Sequence, residues 1–99
     1  PDLLEKVTTL YLEGAADLID RMKRGAAESN FEAIRAAAHS LKSSSAHIGA
    51  HTISAHAKDL EALSKKNSKD GIEALLKSID SDFSLVSSEL RSLITERTA

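Results

Sequence analysis

The chain has no cysteine and no tryptophan, one proline, four glycines, and only one tyrosine and two phenylalanines in 99 residues. Without cysteine there are no disulfides, no thiolate metal sites and no cysteine nucleophile, a composition that fits a reducing cytoplasm, where the protein is expected. So few aromatic and β-branched residues argue against strands. No apolar run approaches the roughly 20 residues needed to cross a bilayer, so the chain reads as soluble, with no membrane insertion. A formal net charge of −2 supplies no basic field for gripping phosphodiester backbones, which argues against nucleic acid as the main partner. No Gly-x-x-x-x-Gly-Lys loop or other glycine-rich lid is present, so the chain carries no nucleotide-binding apparatus of its own.

What remains is rich in Ala, Leu, Ser, Lys and Glu, the composition of helices. From Asp2 to Ala27, the residues Leu4, Val7, Tyr11, Ala15, Leu18 and Met22 recur three or four apart, one helical stripe. The spacing predicts one long helix; the alternative is a short extra N-terminal helix that bends away near Gly14. Ser29-Asn30 supplies turn and N-cap chemistry for a second helix, Phe31 to Ile48. Its apolar face is Phe31, Ile34, Ala38, Leu41, Ser45 and Ile48, and Gly49 stands where a left-handed cap would end it. A third helix, about Ala50 to Lys66, carries Ile53, Ala57, Leu60 and Leu63. A polar loop, Lys65 to Gly71, leads to a fourth, Ile72 to about Glu96, with Ile72, Leu75, Leu76, Ile79, Phe83, Val86, Leu90, Leu93 and Ile94 on one side. Four amphipathic stripes on short connections predict an all-α, antiparallel up-down four-helix bundle forming a single domain over residues 1–99. The start at Pro1 suggests a piece of something longer.

The second helix holds the residue that needs explaining. At about 100° per residue, His39 falls about 130° from the centre of the apolar face, toward solvent or a partner. Ala36, Ser43 and Ala46 lie on the same side, with Arg35 and Lys42 along the flank, so the histidine stands among small side chains. A neutral imidazole that titrates near neutrality is a competent nucleophile toward an activated phosphoryl group. Lys42, three residues on, can neutralise phosphoryl oxygens, a charge pair at 4 Å being worth roughly 1 to 4 kcal/mol.

Other histidines and serines read differently. His47 and His51 straddle Gly49, which breaks the helical spacing that would let them share an ion, so no metal is expected. His56 reads as a surface or semi-buried histidine, or as one that approaches the His39 side of the bundle. Ser43, Ser44 and Ser45 do not form a hydrolase site, because no acid orients His39 at a recognisable spacing and no oxyanion loop follows. Ser45 is expected to be buried and bonded back to its own helix.

The run His39-Ser40-Leu41-Lys42-Ser43-Ser44-Ser45, followed by Ile48-Gly49-Ala50, resembles the signature of histidine-containing phosphotransfer (HPt) domains of bacterial phosphorelays, His-x-Leu-Lys-Gly-Ser-Ser with a later Gly-Ala. The likeness extends over nearly the whole chain. It implies that His39 accepts a phosphoryl group from an aspartate of a response-regulator receiver domain and passes it to another receiver, with Lys42 steadying its charge. Ser43 departs from the family's usual glycine but stays small. The resemblance further implies docking around Ala36, Ser43, Ala46 and Arg35, no intrinsic cofactor, Mg²⁺ held in the partner receiver, a monomer, and either a freestanding protein or a domain excised from a hybrid sensor histidine kinase. The alternatives are the dimeric phosphoacceptor hairpin of a sensor kinase and a non-catalytic helical adaptor.

Overall fold

The computed structural model describes residues 2–98, with side chains to Glu96, as four helices: α1 (Leu3–Ala27), α2 (Phe31–Ile48), α3 (His51–Lys65) and α4 (Ile72–Thr98). Asp2 starts α1, its carboxylate accepting the Leu4 N–H at 2.7 Å, and Glu5 adds negative charge in the first turn. The helix runs unbroken through Gly14, so there is no separate opening helix. Tyr11, Leu12 and Ala15 are buried on either side of the glycine, and that packing outweighs its roughly 1 kcal/mol of lost helix propensity.

The connections are tight because their residues suit them. Asn30 caps α2 by accepting the Ala33 N–H at 3.1 Å. The turn lies so close to α1 that a Cβ on Gly25 would sit 2.9 Å from Ile34 Cγ1 and 3.2 Å from the Asn30 carbonyl oxygen. Gly49 ends α2 at φ 85°, in the left-handed region, while the Ala50 N–H donates to the Ser45 carbonyl at 2.8 Å. Helix α3 begins directly after Ala50.

Each helix packs on its neighbours in sequence, and α1 closes the ring on α4, giving the up-down bundle. Lys23 on α1 reaches Asp80 on α4 at 2.8 Å across that closure. Met22, Ile34, Leu41, Ile53, Leu60 and Ile79 are completely enclosed. No described helix is long and apolar enough to cross a membrane.

Two expectations about the core need correction. Leu4 and Val7 are 42% and 47% exposed, and Thr8, Leu12 and Ile19 take the buried positions on α1. Helices α1 and α4 have 25 and 27 residues against 18 and 15 for α2 and α3, so their free ends overhang the inner pair in a body 47 Å long and 20 Å wide. The first turns of α1 therefore have too few neighbours to bury their leucines, and Leu93 on α4 is half exposed for the same reason. Ser45 is buried as expected but does not bond back to its own helix. Its Oγ pairs with the Tyr11 hydroxyl at 2.7 Å, because a buried phenol needs a partner and α1 brings it over this position. Burial raises the Tyr11 pKa, and the Ser45 bond offsets part of that rise.

Ser87 in α4 is 6% exposed, and its Oγ has no hydrogen-bond partner among the described residues. An unpaired buried hydroxyl costs about 1–3 kcal/mol, and alanine is also the better helix former. Ser87→Ala is expected to stabilise the domain by about 1 kcal/mol, a rise of several degrees in Tm for a domain of this size. A lower Tm in a thermal melt would show that the hydroxyl is satisfied.

Candidate functional site

Ala38 and Leu41 are completely buried, and their spacing turns His39 outward from α2 with 59% of its side chain exposed. The ring leans toward α3, where Nδ1 lies 2.9 Å from Glu61 Oε2. Lys42, one turn along, donates from Nζ to Glu61 Oε1 at 2.8 Å. The two helices are held in this register by the abrupt Gly49-Ala50 turn and by Ser54, whose Oγ donates to the Lys42 carbonyl at 2.9 Å. Glu61 therefore sits beneath the histidine and the lysine, itself only 6% exposed. Lys65, one turn further along α3, places Nζ 3.9 Å from Glu61 Oε2.

The tautomer that fits this geometry follows from the charge of Glu61. The Lys42 hydrogen bond is the main cause holding the Glu61 pKa below the usual carboxylate range; desolvation opposes it, and the His39 bond assists. An ionised carboxylate only accepts, so Nδ1 is the nitrogen that carries hydrogen and donates. In the neutral ring the lone pair then resides on Nε2, which has no hydrogen-bond partner among the described residues. An exposed, oriented imidazole nitrogen beside a lysine is a nucleophile for an anionic electrophile.

No acid stands at a recognisable sequence spacing from His39, yet Glu61 orients it across the helix interface. The acid comes from another helix, 22 residues later. The available signal was its place beside Leu60 at the edge of the α3 apolar stripe, since a buried glutamate needs a partner.

Of the other expected site residues, Ala36, Ser43 and Ala46 are exposed on the outer surface of α2. Arg35 is partly exposed, and its guanidinium is engaged by Glu32, one turn back. An open groove of about 410 Å³ between α1 and α2 borders this surface, lined by Leu18, Arg21, Ala33, Ala36 and Ser40 among others. Another cavity of about 400 Å³, with Lys23, Phe31, Ile72 and Lys77 in its wall, lies at the end of the bundle, some two turns of α2 from His39.

His56 does not approach His39. Its Nδ1 lies 2.5 Å from Asp82 Oδ2 on α4, with the imidazole 31% exposed, which makes it a half-buried histidine tying α3 to α4. His47 and His51 are exposed at the α2–α3 turn, and no three His, Asp or Glu side chains among the described residues converge as metal ligands would. Ser43 is exposed, Ser44 leans back on the Leu41 carbonyl at 3.4 Å and Ser45 is buried against Tyr11, so the three serines share no site.

Comparison with curated protein sequences finds no match. Among solved structures, the chain is similar to the crystal structure of histidine-containing phosphotransfer protein B (HptB) from Pseudomonas aeruginosa PAO1. The TM-score is 0.89 at 18% sequence identity, covering 91% of this chain and 78% of that one, which is a likeness of fold. The family model of the Hpt domain matches residues 6–96. With nearly the whole chain matched, it belongs to the Hpt domain family, the histidine phosphotransfer domains that interact with receiver domains in two-component phosphorelays.

Proposed function

We propose that His39 is the phosphoacceptor of this domain and that Glu61 and Lys42 make it one. The observation that carries this reading is the bond from His39 Nδ1 to Glu61, which leaves the lone pair on Nε2 of a side chain that is 59% exposed. In the step, Nε2 attacks the phosphorus of a receiver's aspartyl phosphate. The N–P bond forms as the P–O bond to the aspartate breaks, and the electron pair leaves with the carboxylate. No proton moves, because Nδ1 keeps its hydrogen; the ring becomes a cation, and the Glu61 carboxylate faces it. Donation to a second receiver is the reverse, with a neutral imidazole as leaving group.

Most of the remaining machinery belongs to the partner. Mg²⁺ held in the receiver neutralises the phosphoryl oxygens there, while Lys42 offers a cation on this side of the transfer. The domain acts as a cytoplasmic monomer, on receiver domains that include that of a hybrid histidine kinase. In support of the monomer, one chain closes its own core around all four helices, with the histidine on an outer face. A sensor-kinase hairpin would instead build its bundle from two chains, and sedimentation of this domain as a dimer would revive that reading.

The test is a panel of receiver domains charged with acetyl phosphate and Mg²⁺ and mixed with this domain. Acid-labile, base-stable label should pass to it from at least one of them; no transfer from any would sink the proposal. Docking is assigned to the cleared face of α2 around Ala36, Ser43 and Ala46, with Arg35 at its flank and the α1–α2 groove beside it. Ser43→Trp is therefore expected to raise the receiver concentration needed for half-maximal transfer by about tenfold, roughly 1.4 kcal/mol of binding, with Tm nearly unchanged. Labelling by phosphoramidate, a donor too small to need docking, should be unaffected. Unimpaired transfer from the receiver would place docking elsewhere.

A further inference from the structure

Glu61 has two carboxylate oxygens and three groups within reach. Lys42 Nζ occupies Oε1 at 2.8 Å and His39 Nδ1 occupies Oε2 at 2.9 Å, while Lys65 Nζ stands 3.9 Å from Oε2, beyond hydrogen-bond distance. Lys65 lies one turn after Glu61 on α3, with 61% of its side chain exposed, and among the described residues no other acid pairs with it. Its neighbour Lys66 is five residues from Glu61, about 140° around the helix, and points away. Arg35 is committed to Glu32. Among the described residues, Lys65 is therefore the cation within 4 Å of Glu61 that does not already hydrogen-bond to it.

Charge makes that position useful once the site is phosphorylated. In the resting state Lys42 pairs with Glu61. A phosphoryl group on Nε2 adds about −2 at neutral pH, and the ring that keeps its Nδ1 hydrogen adds +1, so the cluster of Glu61, Lys42 and phosphohistidine gains a net negative charge. Lys42 is drawn toward the phosphoryl oxygens, and the nearly buried Glu61 carboxylate is left short of a partner beside a dianion. Resting on the reading of His39 as phosphoacceptor, we infer that Lys65 takes over Glu61 when Lys42 turns to the phosphoryl group. Lys65 is a positioning residue: it touches no reacting atom, acts through Glu61 and Lys42, and restores neutrality to the phosphorylated cluster. The exchange needs only side-chain rotation, since a longer reach by Lys42 and a shorter one by Lys65 leave both helices in place.

The experiment labels the intact domain with phosphoramidate, a transfer in which the P–N bond of the donor breaks and ammonia leaves, and follows loss of acid-labile phosphate. Lys65→Met is expected to shorten the phosphohistidine lifetime two- to fivefold, as befits an exposed ion pair, with Tm of the unphosphorylated domain unchanged. Lys65→Arg should restore it, and Lys42→Met should shorten it further. The double variant Lys42→Met/Lys65→Met should match Lys42→Met alone, because Lys65 acts by releasing Lys42. A Lys65→Met lifetime equal to the wild type, or effects that multiply in the double variant as independent charges would, overturns the exchange. Label that persists in His39→Gln, or a wild-type domain that takes no label, overturns the underlying phosphoacceptor assignment instead.

Discussion

Replacing His39 with glutamine is expected to abolish phosphoryl acceptance while leaving the fold intact. Glutamine can keep an N–H directed at Glu61, but its amide nitrogen has no basic lone pair, so no N–P bond forms. The side chain is 59% exposed and contributes little to the core, so Tm should move by no more than a degree or two. The other histidines make the variant a searching control. His56 repeats part of the geometry, with Nδ1 on Asp82 at 2.5 Å, but it is half as exposed and, among the described residues, no lysine shares its carboxylate. Residual acid-labile label in His39→Gln, mapped by mass spectrometry to His56 or another histidine, would displace His39 from the assignment.

Glu61→Gln should slow transfer to and from His39 by about 10- to 100-fold, the usual cost of losing a carboxylate that orients a functional histidine. The amide can present either its oxygen or its NH₂ to Nδ1, and the second arrangement forces hydrogen onto Nε2 and removes the nucleophile. It also leaves Lys42 without its anionic partner and withdraws the charge that faces the imidazolium product. Unchanged transfer kinetics would strip Glu61 of its role.

The same variant carries a stability signature with a definite sign. Glu61 titrates below its ordinary value in the folded domain, chiefly because of Lys42, so folding favours its ionised form. Its contribution is fully present above the unfolded carboxylate range, about pH 4–5, and is lost as pH falls through the lower folded value. Glu61→Gln should therefore melt below the wild type at neutral pH, and the two should converge in acid, where a protonated glutamic acid and glutamine are alike. A gap that is constant with pH would show that packing, not charge, accounts for it.

The helices were legible because their information is local. Ile34, Ala38 and Leu41 at helical spacing mark the buried side of α2 and place His39 on the other, and Gly49 marks its end by needing a positive φ. The errors arise where the outcome depended on what lay opposite. Leu4 and Val7 continue the α1 stripe, yet they lie on an overhang that the shorter α2 and α3 do not reach. Ser45 was buried as its position required, but its partner was chosen by Tyr11 arriving from α1. His56 found Asp82, 26 residues away on α4, and no pattern within α3 announced it.

The site divides in the same way. The sequence by itself determined the four amphipathic helices, an outward His39 with Lys42 one turn along, and the small side chains that clear the ground for a partner. These follow from 100° of rotation per residue and from the preference of apolar groups for the inside. Only the tertiary structure decided that Glu61 lies under both residues and that Nδ1 is the ring nitrogen turned to it. Those depend on how far α3 slides and turns against α2. A hydrogen bond is sensitive to tenths of an ångström, whereas a hydrophobic stripe tolerates a wide arc, so the stripe specifies a face and the packed register chooses the partner.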